Sequence, residues 1–184
     1  MESVDETLKK SLDALLERGG GDKYADVKAV LDRDEEVKAK LLAQWHHMSP
    51  WPDVSHALEQ IKQDLGLEIF VVANGTTRLQ LDLCHSSGLK FDMLFSSQLL
   101  GCYKPAREAY ERVLELVGQR AEEVVMVAAH VYDLRGAREV GMKTVYVERW
   151  TDDVCEDKGL VRGAVDYYLE GMEGLPDVLA GMQR

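Results

Sequence analysis

The sequence predicts an α/β fold: a Rossmann-like, doubly wound parallel sheet with a reduced helical segment at its amino end. Short β-prone runs that are apolar throughout alternate with amphipathic stretches from residue 51 to residue 184. A strand needs such a run when helices cover both faces of its sheet. Residues 1–50, by contrast, are charged and carry apolar side chains at helical spacing. The sequence therefore predicts two parts, a helical segment at 1–50 and an α/β core at 51–184.

Three helices are predicted before the first strand. Leucines recur at helical spacing between Leu8 and Leu16, and the glycines at 19–21 end that helix. A second helix is expected at about 34–47, before the prolines that stop it. Asp53 is expected to cap a third helix, whose apolar face begins directly after it.

The core is predicted to alternate between strands and helices. The expected strands lie at 69–73, 93–95, 124–129, 144–147 and 166–169. The expected helices lie at about 77–87, 106–117, 133–140 and 176–182. Ligands of parallel sheets bind at the carboxyl ends of the strands, so the residues that follow these runs are the first candidates for a functional site.

Composition and charge restrict the partners of the chain. Acidic residues outnumber basic ones by 33 to 22, which gives a formal net charge of −11 and argues against nucleic acid and anionic membrane surfaces. No stretch approaches the ~18 consecutive apolar residues of a membrane span. The three cysteines are scattered, and the first residues lack an apolar signal core, so a reducing cytoplasm is the expected location. The expected partner is a small organic molecule.

Four segments, in order along the chain, carry a family resemblance. They are Val71–Thr76 (VVANGT), Tyr103–Pro105 with Tyr110 beyond it, Val127–Ala137 (VAAHVYDLRGA), and Gly141–Arg149 (GMKTVYVER). Together they resemble the haloacid dehalogenase superfamily, specifically its type II, L-2-haloacid dehalogenase-like branch, in versions reminiscent of fungal sequences. The resemblance covers the chain from about Trp51 to its end, and it implies the fold that periodicity predicts.

The resemblance implies a covalent mechanism from which this sequence departs. In the family, an aspartate at the end of the first strand attacks the substrate carbon, and water then hydrolyses the ester. No apolar run ending in such an aspartate precedes Trp51, and Ala73 and Ala128 stand where the family has hydroxyl side chains. His130 stands at the position of a family asparagine. Loss of the nucleophile costs on the order of 10⁴–10⁶ in rate, and no neighbouring group offers a substitute, so we expect that the chain does not dehalogenate.

Three residues are assigned catalytic roles and five are assigned to substrate binding. The catalytic candidates are Lys104, His130 and Asp133. The substrate-binding candidates are Asn74, Gly75, Thr76, Tyr110 and Trp51. Phosphatase relatives hold magnesium with several acidic side chains, of which only Asp133 remains, so neither a metal site nor a cofactor is expected.

Each catalytic candidate also has a structural interpretation. Lys104 either points its ammonium into a pocket or pairs with Asp133 and braces two loops. Asp133 is either an acid of the pocket or the cap of a helix beginning at Leu134. His130 replaces a polar group at a strand end, where an imidazole could be a general acid or base, and a packed, hydrogen-bonded histidine fits nearly as well.

The substrate-binding candidates are also open to two interpretations. Asn74 and Gly75 are expected to form a tight turn whose amides face the pocket. Tyr110 either donates to a substrate oxygen or only packs in the core. Trp51 is expected to line the groove between the helical cap and the core.

A missing first strand has a structural consequence. In the resembled fold that strand lies between the strands expected here at 69–73 and 124–129. Without it, these apolar strands lose a neighbour and expose backbone donors and acceptors. We expect either that the two strands pair directly with each other or that a second copy of the chain fills the gap as a homodimer.

Three functional hypotheses follow. The first is an enzyme repurposed for non-hydrolytic small-molecule chemistry, such as a cyclisation or isomerisation in specialised metabolism, which positioning and hydrogen bonding alone promote. The second is an (S)-2-haloacid dehalogenase-type hydrolase truncated at its N-terminus. The third is a non-catalytic binding protein.

Overall fold

The computed structural model describes residues 4–18 and 25–183. The described α-helices are α1 (Val4–Arg18), α2 (Ala25–Arg33), α3 (Glu35–Ala43), α4 (Val54–Asp64), α5 (Thr77–Ser87), α6 (Ser97–Leu100), α7 (Arg107–Val117), α8 (Val131–Glu139), α9 (Lys158–Ala164) and α10 (Leu175–Met182). The described strands are β1 (Phe70–Ala73), β2 (Met93–Ser96), β3 (Val125–Ala128), β4 (Lys143–Val147) and β5 (Tyr167–Leu169). The five expected strands are therefore present, each with bounds within a single residue of the prediction.

Four of the described helices, α2, α3, α6 and α9, differ from the predicted pattern. The stretch expected as one helix at 34–47 is α3 followed by a 3-10 turn at 44–46, and α2 precedes it. The helix α9 was not predicted, since it buries only Val161 and shows no apolar stripe. Its start is fixed instead by Asp157, whose carboxylate accepts the backbone N–H groups of Gly159 and Leu160.

The chain forms two compact units. The first consists of Met1–Ser49 and Gly75–Lys90, and the second of Pro50–Asn74 and Phe91–Arg184. Within the first unit, Lys38 pairs with Asp13 at 2.6 Å, and His46 Nδ1 lies 2.7 Å from Asp82. Arg78 also pairs with Asp82, which therefore joins two elements of this unit.

All described strands lie in the second unit, and every described pairing is parallel. β1 pairs with β2, and β4 lies between β3 and β5 in a separate three-stranded sheet. The α/β prediction with parallel sheets is confirmed. The prediction that 69–73 and 124–129 pair directly is wrong, because β2 and β4 are their described partners. Helix α7 lies against both strands, since Val113 shares an apolar cluster with Phe70 and Val72 of β1, and Tyr110 shares another with Met126 of β3.

The core lies on both faces of these sheets. On one face, α4 and α10 pack on β3 and β4 through a cluster that includes Ile61, Val145 and Leu179. On the other face, α8 and α9 pack on β3, β4 and β5 around Leu134 and Tyr146. Successive residues of β3 and β4 point alternately into these clusters, as the twofold period of a strand requires. This arrangement fixes the carboxyl ends of β1 and β3, where the candidate site lies.

Among the described helices, none is both long enough and apolar enough to cross a membrane.

Candidate active site

The turn after β1 is tied to the turn that carries the lysine. The side-chain amide of Asn74 donates to the backbone oxygen of Lys104 at 2.7 Å and accepts the backbone N–H of Lys104 at 2.8 Å. An amide that exchanges both hydrogen bonds with one residue's backbone acts like a neighbouring strand. Asn74 therefore fixes the backbone of Lys104, and we assign it a positioning role.

Lys104 and Asp133 form a buried ion pair. Nζ of Lys104 donates to Oδ2 of Asp133 at 2.6 Å, and only 9% and 6% of the two side chains are exposed. The other carboxylate oxygen, Oδ1, is buried without a hydrogen-bond partner. An unpartnered buried oxygen costs about 1–3 kcal/mol, which is typical of a site that awaits a ligand or water. The pairing that the structural interpretation of Lys104 predicted is present.

Helix α8 positions Asp133 differently from the expected cap. The helix begins at Val131, so Asp133 lies in its first turn and is not its capping residue. A carboxylate in the first turn is stabilised by the positive end of the helix dipole. The position of Asp133 therefore suits a negative charge even before Lys104 is considered.

Tyr110 supports the same pair from α7. Its hydroxyl donates to the backbone oxygen of Asp133 at 3.0 Å, and the residue is 1% exposed. Burial, reinforced by the charge of Asp133, raises the pKa of Tyr110 far above its ordinary value, so the hydroxyl keeps its proton and stays a donor. Tyr110 therefore contacts the ion pair through the backbone of Asp133.

His130 lies at the end of β3 but belongs to another cluster. Its Nε2 is 3.2 Å from Asp152 and its Nδ1 is 3.2 Å from Asp153, while Tyr132 stacks on the ring. Asp153 also accepts the backbone N–H of Val131 at 2.6 Å and so covers the start of α8. The described side-chain contacts of His130 lead to this loop, while its backbone oxygen accepts the N–H of Asp133 at 3.2 Å. Its catalytic role stays a prediction.

Trp51 lies beside an ion pair that the sequence did not suggest. The guanidinium of Arg149 is 5.2 Å from the Trp51 ring and donates to both carboxylate oxygens of Asp53, at 2.8 and 3.0 Å. Asp53 also accepts the backbone N–H of Met172, and it makes no capping hydrogen bond to α4. Asp53 therefore occupies the predicted N-cap position of α4, but its carboxylate does not cap the helix, because Arg149 and Met172 occupy it.

A cavity of about 640 Å³ opens next to this pair. Its walls include Trp51, His56, Gln60, Arg149 and Glu173. It is lined by none of the catalytic candidates. The cavity and the Lys104–Asp133 pair are therefore separate features of the second unit.

The two remaining candidates continue the chain after Asn74. Gly75 is buried, and the Thr76 hydroxyl accepts the backbone N–H of Leu79 at 3.1 Å, which caps α5. Both residues belong to the first unit. Their roles in substrate binding stay predictions.

The side chains around Asp133 do not fit a magnesium ion. Over residues 4–18 and 25–183, the structure brings together no group of three or more histidine, cysteine, aspartate or glutamate side chains suited to a metal. Magnesium in proteins is held by oxygen ligands in near-octahedral geometry, and Asp133 already binds Lys104. We derive no step through a metal ion.

Comparison with known proteins identifies a matching family and several relatives. The family model described as haloacid dehalogenase-like hydrolase matches residues 4–141. Haloacetate dehalogenase H-2 of Moraxella sp. (strain B) is 30% identical over 122 residues, which cover 65% of this chain and 54% of the relative. An (S)-2-haloacid dehalogenase of Pseudomonas sp. (strain YL) is 28% identical over 131 residues, 70% of this chain and 56% of the relative. The chain thus spans about half the length of these curated relatives.

Solved structures give the same result for the fold. A crystal structure of a defluorinating L-2-haloacid dehalogenase superposes with a TM-score of 0.80 at 27% identity, over 98% of this chain and 71% of that one. Another L-2-haloacid dehalogenase gives a TM-score of 0.77 at 28% identity, over 97% of this chain and 74% of that one. The family model matches most of the chain and spans the first three of the four motif segments, and the chain therefore belongs to the haloacid dehalogenase-like hydrolase family.

Proposed function

We propose that this chain is a hydrolase that displaces a leaving group, such as halide, from the carbon next to the carboxylate of a small organic acid. The observation that carries the proposal is the buried Lys104–Asp133 pair, whose Oδ1 has no partner. The relatives named above, which are dehalogenases of haloacetate and of (S)-2-haloacids, support the substrate class.

Each residue of the pair has a distinct role in the proposal. An ammonium has three N–H donors, and Asp133 accepts one from Lys104, so Lys104 offers the others to the substrate carboxylate. Asp133 Oδ1 is a proton acceptor. Because both side chains are more than nine-tenths buried, a small acid suits the site better than a bulky one. Asn74 holds Lys104 at its backbone, and Tyr110 holds Asp133 at its carbonyl.

Burial also decides between two hydrolytic routes. Direct attack by a carboxylate brings a substrate carbon within roughly 3–3.5 Å of the attacking oxygen. Proton acceptance from a water molecule requires only that the water reach hydrogen-bond distance. Oδ1 of Asp133 is buried, so either route needs an opening beside it, and the second needs the smaller one because a water molecule is smaller than the substrate. The water oxygen bonds to the substrate carbon, the carbon–halogen bond breaks, halide leaves with its electron pair, and the water proton goes to Asp133.

The test is chloride release from L-2-chloropropionate, followed by a single turnover in H₂¹⁸O. We expect chloride, ¹⁸O in the first-turnover product, and a protein mass that does not change. An ester adduct, or ¹⁸O in the protein carboxylate, would show the covalent route instead. Absence of chloride from a folded protein would refute the hydrolase proposal.

Lys104→Ala is expected to lower chloride release by about 10²–10⁴-fold, because it removes the charge that binds the substrate and pairs with Asp133. The matched control is Lys62→Ala. Lys62 also pairs with an aspartate, Asp92, at 2.7 Å, but Asp92 binds the backbone N–H of Ile69, at the opposite end of β1. Steady-state kinetics should show near-normal rates for the control. Equal losses in both variants would mean that the effect is only structural.

The same assay separates the other hypotheses. A cyclisation or isomerisation leaves the substrate mass unchanged and releases no halide, which mass spectrometry of the products detects. If the chain is a non-catalytic binding protein, the Lys104→Ala and His130→Ala variants should bind the ligand with the same affinity as the wild type. The comparisons support hydrolysis more directly than rearrangement, since the matching family is one of hydrolases.

A further inference from the structure

The cavity beside Trp51 is a feature that the proposed hydrolysis does not use. Its volume of about 640 Å³ lies within the range of sites that hold small ligands. All of its lining residues belong to the second unit, and none of them is a catalytic candidate. The chemistry of its walls therefore decides which further ligand the protein could bind.

Helix α4 lines one wall of the cavity with side chains on a single face. His56, Ala57 and Gln60 are three and four residues apart, so they lie on the same side of the helix. Ala57 is buried in the core, which leaves an imidazole and a carboxamide as the polar groups of this wall. Among the described residues, neither His56 nor Gln60 has a hydrogen-bond partner for its side chain. Both side chains can therefore bind a ligand without breaking a contact of the fold.

A second carboxylate lies beside the Asp53–Arg149 pair. A Cβ on Gly171 would contact a carboxylate oxygen of Glu173 and would lie 3.1 Å from Oδ2 of Asp53, so both carboxylates lie close to this glycine. Arg149 binds both oxygens of Asp53, whereas no described residue pairs with the carboxylate of Glu173. The formal charges of Asp53, Arg149 and Glu173 therefore leave one negative charge at the wall of the cavity.

Trp51 adds an aromatic wall. Its ring meets the ring of Trp150 edge-on, with 6.2 Å between the centroids and 86° between the planes, and the guanidinium of Arg149 lies 5.2 Å from its centroid. These two contacts fix the indole, yet 37% of Trp51 stays exposed. An indole attracts cations to its face and packs against the apolar part of a ligand. The cavity therefore combines an aromatic surface with an unneutralised carboxylate.

We propose that this cavity binds a small organic ammonium ion, a primary amine carried by a ring or a short alkyl chain. The ammonium has three N–H donors, of which one pairs with Glu173 and another reaches the side-chain oxygen of Gln60, while the apolar part packs on Trp51. An anion is disfavoured, because the uncompensated charge at the wall is negative and the whole chain has a net charge of −11. A lysine side chain of another polypeptide has the same chemistry as a free amine, so the experiment tests both sources.

The experiment is a calorimetric titration of the full chain at pH 8 with two probes of the same shape. One is 2-phenylethylamine, which is a cation at this pH, and the other is 2-phenylethanol, which is neutral. We expect the amine to bind with a dissociation constant of about 0.1–5 mM, a range that suits a ligand of this size, and about tenfold more tightly than the alcohol. Equal affinities for the two probes, or no binding of the amine at about 20 mM, would overturn the proposal.

Glu173→Gln removes the charge and keeps the shape of the side chain. It should weaken binding of the amine about three- to tenfold and leave binding of the alcohol unchanged. The matched control is Glu59→Gln, which changes the net charge equally at an exposed residue of α4 that does not line the cavity. The control should change the affinity less than about twofold, because a distant exposed charge is screened by solvent and salt. Equal weakening in both variants would mean that the amine responds only to net charge, which contradicts a defined site.

The indole N–H signals in nuclear magnetic resonance locate the bound amine. The chain has three tryptophans, and Trp51→Phe identifies the signal of Trp51 by its disappearance. We expect the amine to shift the Trp51 signal and to leave that of Trp45, which lies in the first unit, unchanged. A shift of the Trp45 signal alone would place the amine elsewhere and overturn the proposal.

A short peptide with blocked termini and one central lysine tests the second source. Tighter binding of this peptide than of 2-phenylethylamine would support the proposal with a polypeptide as the source of the ammonium, and weaker binding would support it with a free amine. None of these readouts depends on turnover. The binding result therefore stands or fails separately from chloride release.

Discussion

Asp53→Ala is expected to lower the free energy of unfolding by about 3–5 kcal/mol, because it leaves the guanidinium of Arg149 buried without its partner. Only 12% of the Arg149 side chain and 11% of the Asp53 side chain are exposed, and two hydrogen bonds join them. The variant also removes the acceptor of the Met172 backbone N–H. Equilibrium denaturation in urea, monitored by circular dichroism, measures the loss.

The stability that Asp53 provides should depend on pH in a defined direction. Burial alone raises the pKa of Asp53, but the hydrogen bonds from Arg149 and from the Met172 N–H outweigh it and hold the pKa below its ordinary value. A carboxyl whose pKa is lower in the folded state stabilises the fold at pH values above its unfolded pKa of about 3.9. This stabilisation is lost as the pH falls from there through the lower folded value. The difference in stability between the wild type and Asp53→Ala should therefore shrink below about pH 4.

Two controls show whether the loss belongs to the buried pair. Asp53→Leu combined with Arg149→Met removes both charges, and it should cost less than Asp53→Ala because no buried charge stays unpaired. Lys40→Ala breaks an exposed pair with Glu36 and should cost roughly 0.3–0.5 kcal/mol for the ion pair. A loss below about 1 kcal/mol in Asp53→Ala would contradict the assigned role.

The Asp53–Arg149 pair shows where sequence patterns stop being informative. The two residues are 96 positions apart, and an aspartate directly before a helix is most simply interpreted as its cap. Periodicity reports which face of a segment is apolar, but it carries no information about which distant charges meet. The β strands could be predicted closely for the opposite reason, since each is a continuous apolar run that ends at polar or turn residues.

The candidate site could be predicted in part for the same reason. Residues at the carboxyl ends of parallel strands share one edge, and Asn74, Lys104 and Asp133 do lie together there. His130 also comes directly after a strand region in the sequence, but its ring contacts the loop that carries Asp152 and Asp153. The direction of a side chain at a strand end depends on the nearest opposite charge, which strand order does not reveal. The sequence did predict that the strands at 69–73 and 124–129 lack a neighbour, and each of β1 and β3 has one described partner strand. It could not show that α7 packs against both of them, because periodicity does not reveal which strands a helix covers.

Gly136→Ala is expected to destabilise the protein by about 2–4 kcal/mol through a steric clash, against the usual preference of helices for alanine. A Cβ at Gly136 would lie 2.7 Å from the hydroxyl oxygen of Tyr110 and 2.8 and 2.9 Å from two of its ring carbons. Tyr110 is almost completely buried and cannot move away without opening the core. The displaced hydroxyl would also lose its hydrogen bond to Asp133. Thermal and urea unfolding measure the effect.

A matched glycine in another helix separates the clash from helix propensity. Gly163 lies in α9, where a methyl group on its Cα would have no atom within 4 Å, so Gly163→Ala should stabilise the protein by about 0.5–1 kcal/mol. Tyr110→Leu removes the hydroxyl and the ring, and in that background Gly136→Ala should cost much less than in the wild type. If the cost were the same in both backgrounds, Tyr110 would not be the cause. Because Tyr110 holds the carbonyl of Asp133, Gly136→Ala should also reduce chloride release in the fraction of protein that stays folded, which connects the packing of α7 on α8 to the geometry of the proposed site.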